Sequence, residues 1–209
     1  MGRWTRLCYQ LWKFPFVLIF RLIFRTVIVG ADRVPLEGPL LVVANHTSFA
    51  DPPLLGVVLP RRIEFMTMVE LFRNPIVAWL IKSVGCIPVD RNKVDHSAAR
   101  EAIRRLRAGH CIGIFPEGGI RLGADSVLGG NPSLRPGLET IALLSQAAIL
   151  PVIIRDSRKP YEWRNWFRRP ALSVTFGCPF CLWQPPSGHD RTALQQLVRE
   201  ELLKTVALN

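Results

Sequence analysis

The sequence predicts an α/β domain built on one central sheet, mixed but mostly parallel, flanked by helices on both faces. Three observations carry that expectation. Short apolar runs, among them LLVVA, CIGIF and AILPVII, have the length of buried strands and no polar alternation. Segments of helical periodicity separate them, SAAREAIRRLRA at 97–108 being the clearest. The chain has 209 residues, of which 49% are hydrophobic, so it has the size of one ordinary domain with a real core.

The elements follow in chain order. Residues 1–30 read as a basic amphipathic helix. At about 100° per residue, Arg3, Arg6, Gln10, Lys13, Arg21 and Arg25 share about 120° of arc. Trp4, Trp12, Phe16, Leu18 and Phe20 occupy the remainder. One basic face beside a broad aromatic and aliphatic face is the pattern of a helix lying in a membrane interface. The competing reading is a helix packed on the protein's own core with its basic face solvated. A bilayer span takes about 20 apolar residues. The longest charge-free run here is only FPFVLIF, and no small-residue cleavage site marks a signal peptide. Pro15 is expected to kink the helix or divide it. Strands are then expected at 39–44, 62–66, 86–89, 111–115, 148–154 and 172–176. Helices are expected at 52–59, 74–84, 97–108, 137–146 and 191–206, the first with Pro52 at its opening position. Long loops remain at 121–136 and 156–170. The organisation expected is a membrane-association segment at 1–30 and one domain at 31–209.

Net charge is +11, from 27 Lys and Arg against 16 Asp and Glu, and mean hydropathy is +0.20. A basic surplus of that size favours an anionic partner: nucleic acid, an acidic lipid surface, or an acidic carrier or cofactor. The second long loop interleaves Trp163, Trp166 and Phe167 with Arg155, Arg158, Lys159, Arg164, Arg168 and Arg169. Such a loop reads as a stacking platform for nucleic acid or as a second interfacial anchor. Beside the N-terminal helix, the membrane reading is the more economical. The expected partner is therefore an anionic membrane surface, met through residues 1–30 and the 155–169 loop, and not nucleic acid. The five cysteines are scattered and form no disulfide framework. Cys178 and Cys181 make a lone C-x-x-C with only His189 nearby, short of a zinc ligand set, so no metal is expected.

Four short motifs stand where strands end: NHTSFADP (45–52), GCIPVDR (85–91), FPEGGIR (115–121) and LPVIIR (150–155). The first alone is ambiguous. Asp51 before Pro52 is a good helix cap, and His46 could be a satisfied core residue. Equally, a histidine with a carboxylate on its second ring nitrogen is a general base with its tautomer set. In this order and spacing, over roughly residues 30–180, the motifs resemble the glycerolipid acyltransferases, the lysophosphatidic acid acyltransferases in particular.

The resemblance implies transfer of a fatty acyl group from acyl-CoA or acyl carrier protein to the free hydroxyl of a lysophospholipid. The first-choice acceptor is 1-acylglycerol-3-phosphate. The chemistry of the residues agrees. The attacking hydroxyl must lose a proton, and a neutral imidazole is the natural base, contributing about 10²–10⁴-fold. His46 would be that base and Asp51 its orienter. No protein nucleophile is needed, and Ser48 lacks the G-x-S-x-G elbow of an acyl-enzyme serine. The resemblance also implies that Arg91, Glu117, Gly118, Gly119 and Arg121 surround the acceptor. The arginine would grip phosphate, and the glycines would bring backbone amides close. No bound cofactor is implied. Residues 31–209 would be the acyltransferase domain, associated with the cytoplasmic face of a membrane as a peripheral or monotopic protein.

Two departures bear on the acceptor. The family usually reads F-P-E-G-T-R-S, where this chain has Gly119 for the threonine and an arginine one place late, at Arg121. It often has a lysine where FMTMVELF places Met68. Both changes spare the catalytic pair and weaken a phosphate-bearing acceptor, leaving a lyso-ornithine lipid, or a non-catalytic lipid-binding role, as alternatives.

Overall fold

The computed structural model describes residues 3–130, 134–159, 168–182 and 191–208. Its strands are β1 (Arg25–Val29), β2 (Leu40–Ala44), β3 (Glu64–Met68), β4 (Ile87–Val89), β5 (Cys111–Ile114), β6 (Ala148–Arg155) and β7 (Ala171–Phe176). Its helices are α1 (Arg3–Ile23), α2 (Asp51–Val58), α3 (Pro75–Ser83), α4 (His96–Arg107), α5 (Leu138–Ser145) and α6 (Arg191–Val206). The strands form one sheet in the order β1-β7-β6-β2-β5-β3-β4. Every pairing between these strands is parallel except β6 with β7, and an isolated antiparallel bridge joins Ile149 to Phe180. The mixed, mostly parallel sheet expected from the sequence is the one found.

Two cores explain why the central strands are apolar throughout. Successive side chains of a strand point to opposite faces. On β2, Leu40, Val42 and Ala44 enter one core, while Leu41 and Val43 enter the other. On β6, Leu150, Val152 and Ile154 join the first core, Ile149 and Ile153 the second. The first core is roofed by α1 and α2, through Phe20, Leu54 and Leu55, with Leu59 just past α2. The second is roofed by α4, α5 and α6, through Ala102, Leu106, Ile141 and Leu202. Asp95 caps α4 by accepting from the amides of Ser97 and Ala98, and Asn74 caps α3 in the same way with Pro75 following.

The N-terminal segment departs from its expected form in three ways. The helix stops at Ile23, and residues 25–29 are a strand that runs parallel to β7. Thr26, Val27, Ile28 and Val29 are the β-branched residues that favour this. The helix continues through Pro15 rather than dividing there. Its faces also sort differently. Lys13 turns inward, its Nζ donating to the carbonyl of Leu59 at 3.2 Å, and burial lowers its pKa. Tyr9 and Phe20 are buried on the same side, and the Tyr9 hydroxyl donates to the Gly56 carbonyl at 3.2 Å. Among the described side chains of the helix, the exposed large apolar ones are Leu11, Phe14, Leu18 and Leu22, spaced along one face. The side chains of residues 3–8, Trp12, Ile19, Arg21 and Ile23 lie outside the described set, as do residues 160–167 with the loop aromatics. Among the described residues, no helix is long and apolar enough to cross a membrane.

The parallel strands β2 to β6 all end on one edge of the sheet. The loops that follow them hold residues 45–50, 69–74, 90–95, 115–137 and 156–159, and every motif residue singled out in the sequence lies on this edge.

Candidate active site

The site begins where the apolar run of β2 meets Asn45. Its buried amide group closes on β6 twice: Nδ2 donates to the Ile154 carbonyl at 2.9 Å, and Oδ1 accepts the Ile154 amide at 2.7 Å. A side chain thereby continues the strand pairing for one residue beyond the ladder and fixes where His46 starts. The His46 amide donates to Glu117 Oε2 at 2.7 Å, and its carbonyl accepts the amide of Arg121 at 2.9 Å. Backbone and ring are thus held separately.

The ring lies 2.9 Å, Nδ1 to Oδ2, from Asp51. Asp51 is fully buried, and the same oxygen also accepts the amides of Thr47 and Ser48, each at 2.8 Å. Asp51 is the first residue of α2, and its carboxylate turns back onto the loop. The capping expected of it is therefore not made: no side-chain cap closes this helix, and the carboxylate serves the histidine loop instead. An ionised carboxylate on Nδ1 selects the tautomer with the proton there and leaves the lone pair on Nε2. The ring stacks on Phe115 with centroids 4.1 Å apart, and Phe115 stacks in turn on Phe65. His46 keeps 7% of its surface exposed. Ser48 is buried, its Oγ accepting the Ala50 amide at 3.0 Å.

Glu117 is 1% exposed. Its carboxylate faces the protein: Oε2 takes the His46 amide, and Oε1 takes the Val127 amide at 2.9 Å and the Ser126 hydroxyl at 3.3 Å. Burial raises its pKa, and those amides pull the other way. The Gly118 amide is already bound, donating to the Phe115 carbonyl at 3.0 Å. The contribution of Gly118 is its positive φ of 68° and the space above it, where a Cβ would lie 2.5 Å from Cγ of Arg135. Gly119 lies beneath Arg91, whose Nη1 is 3.7 Å from the position a Cβ would take. Arg91 is half-buried, and burial lowers its pKa, with Glu70 opposing and Arg135 adding to the fall. Arg121 is exposed, and its described bond to the site is made by its backbone.

The structure thus gathers His46, Asp51 and Glu117 tightly and sets Arg91 beside the glycine turn. Asn45, Phe115 and Thr47, whose Oγ1 lies 2.9 Å from Ser157 Oγ, also build the site and were not singled out in the sequence. Among the described residues, no three His, Cys, Asp or Glu side chains converge as a metal site would require.

An imidazole held by a buried carboxylate thus stands at the carboxyl edge of an α/β sheet, where such sheets carry their chemistry. A family model described as acyltransferase matches residues 25–155, and the chain belongs to that acyltransferase family. The 1-acyl-sn-glycerol-3-phosphate acyltransferase of Bacillus subtilis is 27% identical over 153 residues, covering 73% of this chain and 72% of the relative. The lyso-ornithine lipid O-acyltransferase of Pseudomonas aeruginosa is 35% identical over 81 residues, covering 38% of this chain and 31% of the relative. The crystal structure of the 1-acyl-sn-glycerophosphate acyltransferase of Thermotoga maritima superposes with a TM-score of 0.69 at 25% identity, covering 97% of this chain and 78% of that one.

Proposed function

We propose that this acyltransferase moves a fatty acyl group from acyl-CoA or acyl carrier protein to the free hydroxyl of 1-acylglycerol-3-phosphate, giving phosphatidic acid. The observation that carries the reading is the His46–Asp51 pair, 2.9 Å apart on a loop held rigidly at both backbone ends. In this reading His46 Nε2 takes the hydroxyl proton as the oxygen attacks the thioester carbonyl. Asp51 stabilises the imidazolium that results. A carbon–oxygen bond forms, the carbon–sulfur bond breaks, and the departing thiolate takes the proton from His46. Atoms and charge balance without a covalent enzyme intermediate.

The substrates meet the enzyme at a membrane, through the exposed row Leu11, Phe14, Leu18 and Leu22 on α1, with the basic surface turned to the cytoplasmic leaflet. The test is His46→Ala in detergent-purified protein with labelled acyl-CoA and lysophosphatidic acid. The expected outcome is a fall in kcat of about 10²–10⁴-fold, and activity within tenfold of wild type would remove His46 as the base. A lyso-ornithine lipid acceptor is the second reading, favoured by Met68, Gly119 and the similarity to the Pseudomonas enzyme. Supplying both acceptors in the same assay separates the two.

A further inference from the structure

We propose that Arg135 is the second guanidinium of the acceptor's phosphate site, closing with Arg91 over the Gly118–Gly119 turn. The proposal rests on the lysophosphatidic acid reading above. Arg135 belongs to no motif and sits in the long loop before α5. Two bonds fix it: its amide donates to the Pro116 carbonyl at 2.7 Å, and its Nη1 donates to the Arg91 carbonyl at 3.1 Å. Its stem lies on Gly118, while the Arg91 guanidinium lies over Gly119. The two arginines therefore straddle consecutive glycines of one turn.

Both line a cavity of about 520 Å³, together with Gly118 and Phe115. Phe115 is the ring on which His46 stacks. Phe115 thus links the wall of this cavity to the base. Neither arginine forms an ion pair with a carboxylate of the described residues: Asp90, next to Arg91, pairs with Lys93 at 3.5 Å instead. Glu70 acts on Arg91 only from beyond ion-pair distance, so half-buried Arg91 and exposed Arg135 both keep guanidinium donors for a negatively charged ligand.

The ligand chemistry follows. A lysolipid phosphomonoester carries close to two negative charges and three terminal oxygens, enough to engage two planar forks at once. Neither of the positions where the family pattern differs can do this. Met68 is uncharged, and Arg121 is not among the residues lining the cavity, whereas Arg135 is. Arg135 restores the missing charge from a different part of the chain.

The experiment uses the full chain in detergent with Arg135→Gln and Arg135→Lys. Binding of lysophosphatidic acid and of 1-acylglycerol, which lacks the phosphate, is measured by calorimetry, and KM and kcat are measured alongside. Arg135→Gln should weaken lysophosphatidic acid about ten- to a hundredfold, raise its KM in step, leave 1-acylglycerol binding unchanged and keep kcat within about threefold. Arg135→Lys, which keeps the charge without the fork, should recover part of the loss. Lysophosphatidic acid binding within twofold of wild type in Arg135→Gln would overturn the proposal, as would equal losses for both lipids. If Arg135→Gln does not fold, Arg135→Lys decides: a loss selective for the phosphate-bearing lipid supports the site, and none overturns it. Selective binding without turnover by wild type would support the anion site and overturn the transferase reading alone.

Discussion

At the scale of the residue, Asp51 concentrates its bonding on a single oxygen. Oδ2 accepts from His46 Nδ1 and from two loop amides, while the buried Oδ1 has no partner among the described residues. Replacing it by asparagine keeps the size and one acceptor for the amides. The change presents an amide group where a carboxylate fixed the imidazole tautomer and balanced its charge. Asp51→Asn should therefore lower kcat by about 10²–10⁴-fold, with a much smaller change in KM, in steady-state assays. Glu117 acts one step further out. Glu117→Ala leaves the buried amides of His46 and Val127 unpaired, which costs about 1–3 kcal/mol each. It should lower the urea midpoint and kcat together. The spacing of His46 and Asp51 was readable in the sequence because both lie in one local turn. The role of Glu117 was not: a glutamate beside two glycines looks ligand-facing until its partner, 71 residues earlier, is seen to be the histidine's own backbone. Asn45 and Arg135 were hidden for the same reason, since bonds to Ile154 and across to Arg91 leave no periodic mark.

At the scale of the element, the central strands and α2 to α6 were legible because runs buried on both faces and amphipathic stretches have clear periods. β1 was not: five residues directly after a helix give too short a window to separate the two periods. α4 shows how an exposed helix is tied to the sheet. Glu101 receives Arg104 through two bonds and Arg105 through Nε at 2.6 Å. Arg105 then reaches the buried Glu64 on β3 at 2.8 Å and the Gly85 carbonyl at 2.6 Å. Its bonds to Arg104, then Arg105, hold the Glu101 carboxyl down at about 2 against an ordinary 4.5. A carboxyl whose folded pKa is depressed contributes stability above its unfolded value and loses it as pH falls toward the folded one. The window is therefore about pH 4.5 down to about 2. Glu101→Gln should be less stable than wild type at neutral pH, and the two should converge across that window in thermal melts.

At the scale of the whole molecule, strand direction connects the N-terminal helix to the site. β1 parallels β7, and β7 opposes β6, so β1 starts at the edge where β2 and β6 end. α1 leads into β1 after one residue, so its last turn reaches the edge that carries His46. The exposed row Leu11, Phe14, Leu18 and Leu22 therefore runs toward the site, and Phe49, inside the histidine loop, is 69% exposed at the same edge. Trp79 and Ile76 on α3, which touches α1, widen the apolar flank. The sequence held the helix but not this face, because the wheel placed Lys13 with the solvated arginines while the fold turns it onto Leu59. An outward apolar row carries about 1.5–3 kcal/mol per side chain when it enters an apolar phase. Phe14→Glu with Leu18→Glu should therefore abolish flotation of the purified protein with anionic vesicles at physiological salt. Because both side chains face outward, melting should change little, by about 0.5 kcal/mol per substitution or less. Turnover of acceptor presented in vesicles should fall with flotation, while turnover in detergent micelles should persist. Unchanged flotation of the double variant would remove α1 as the proposed membrane contact.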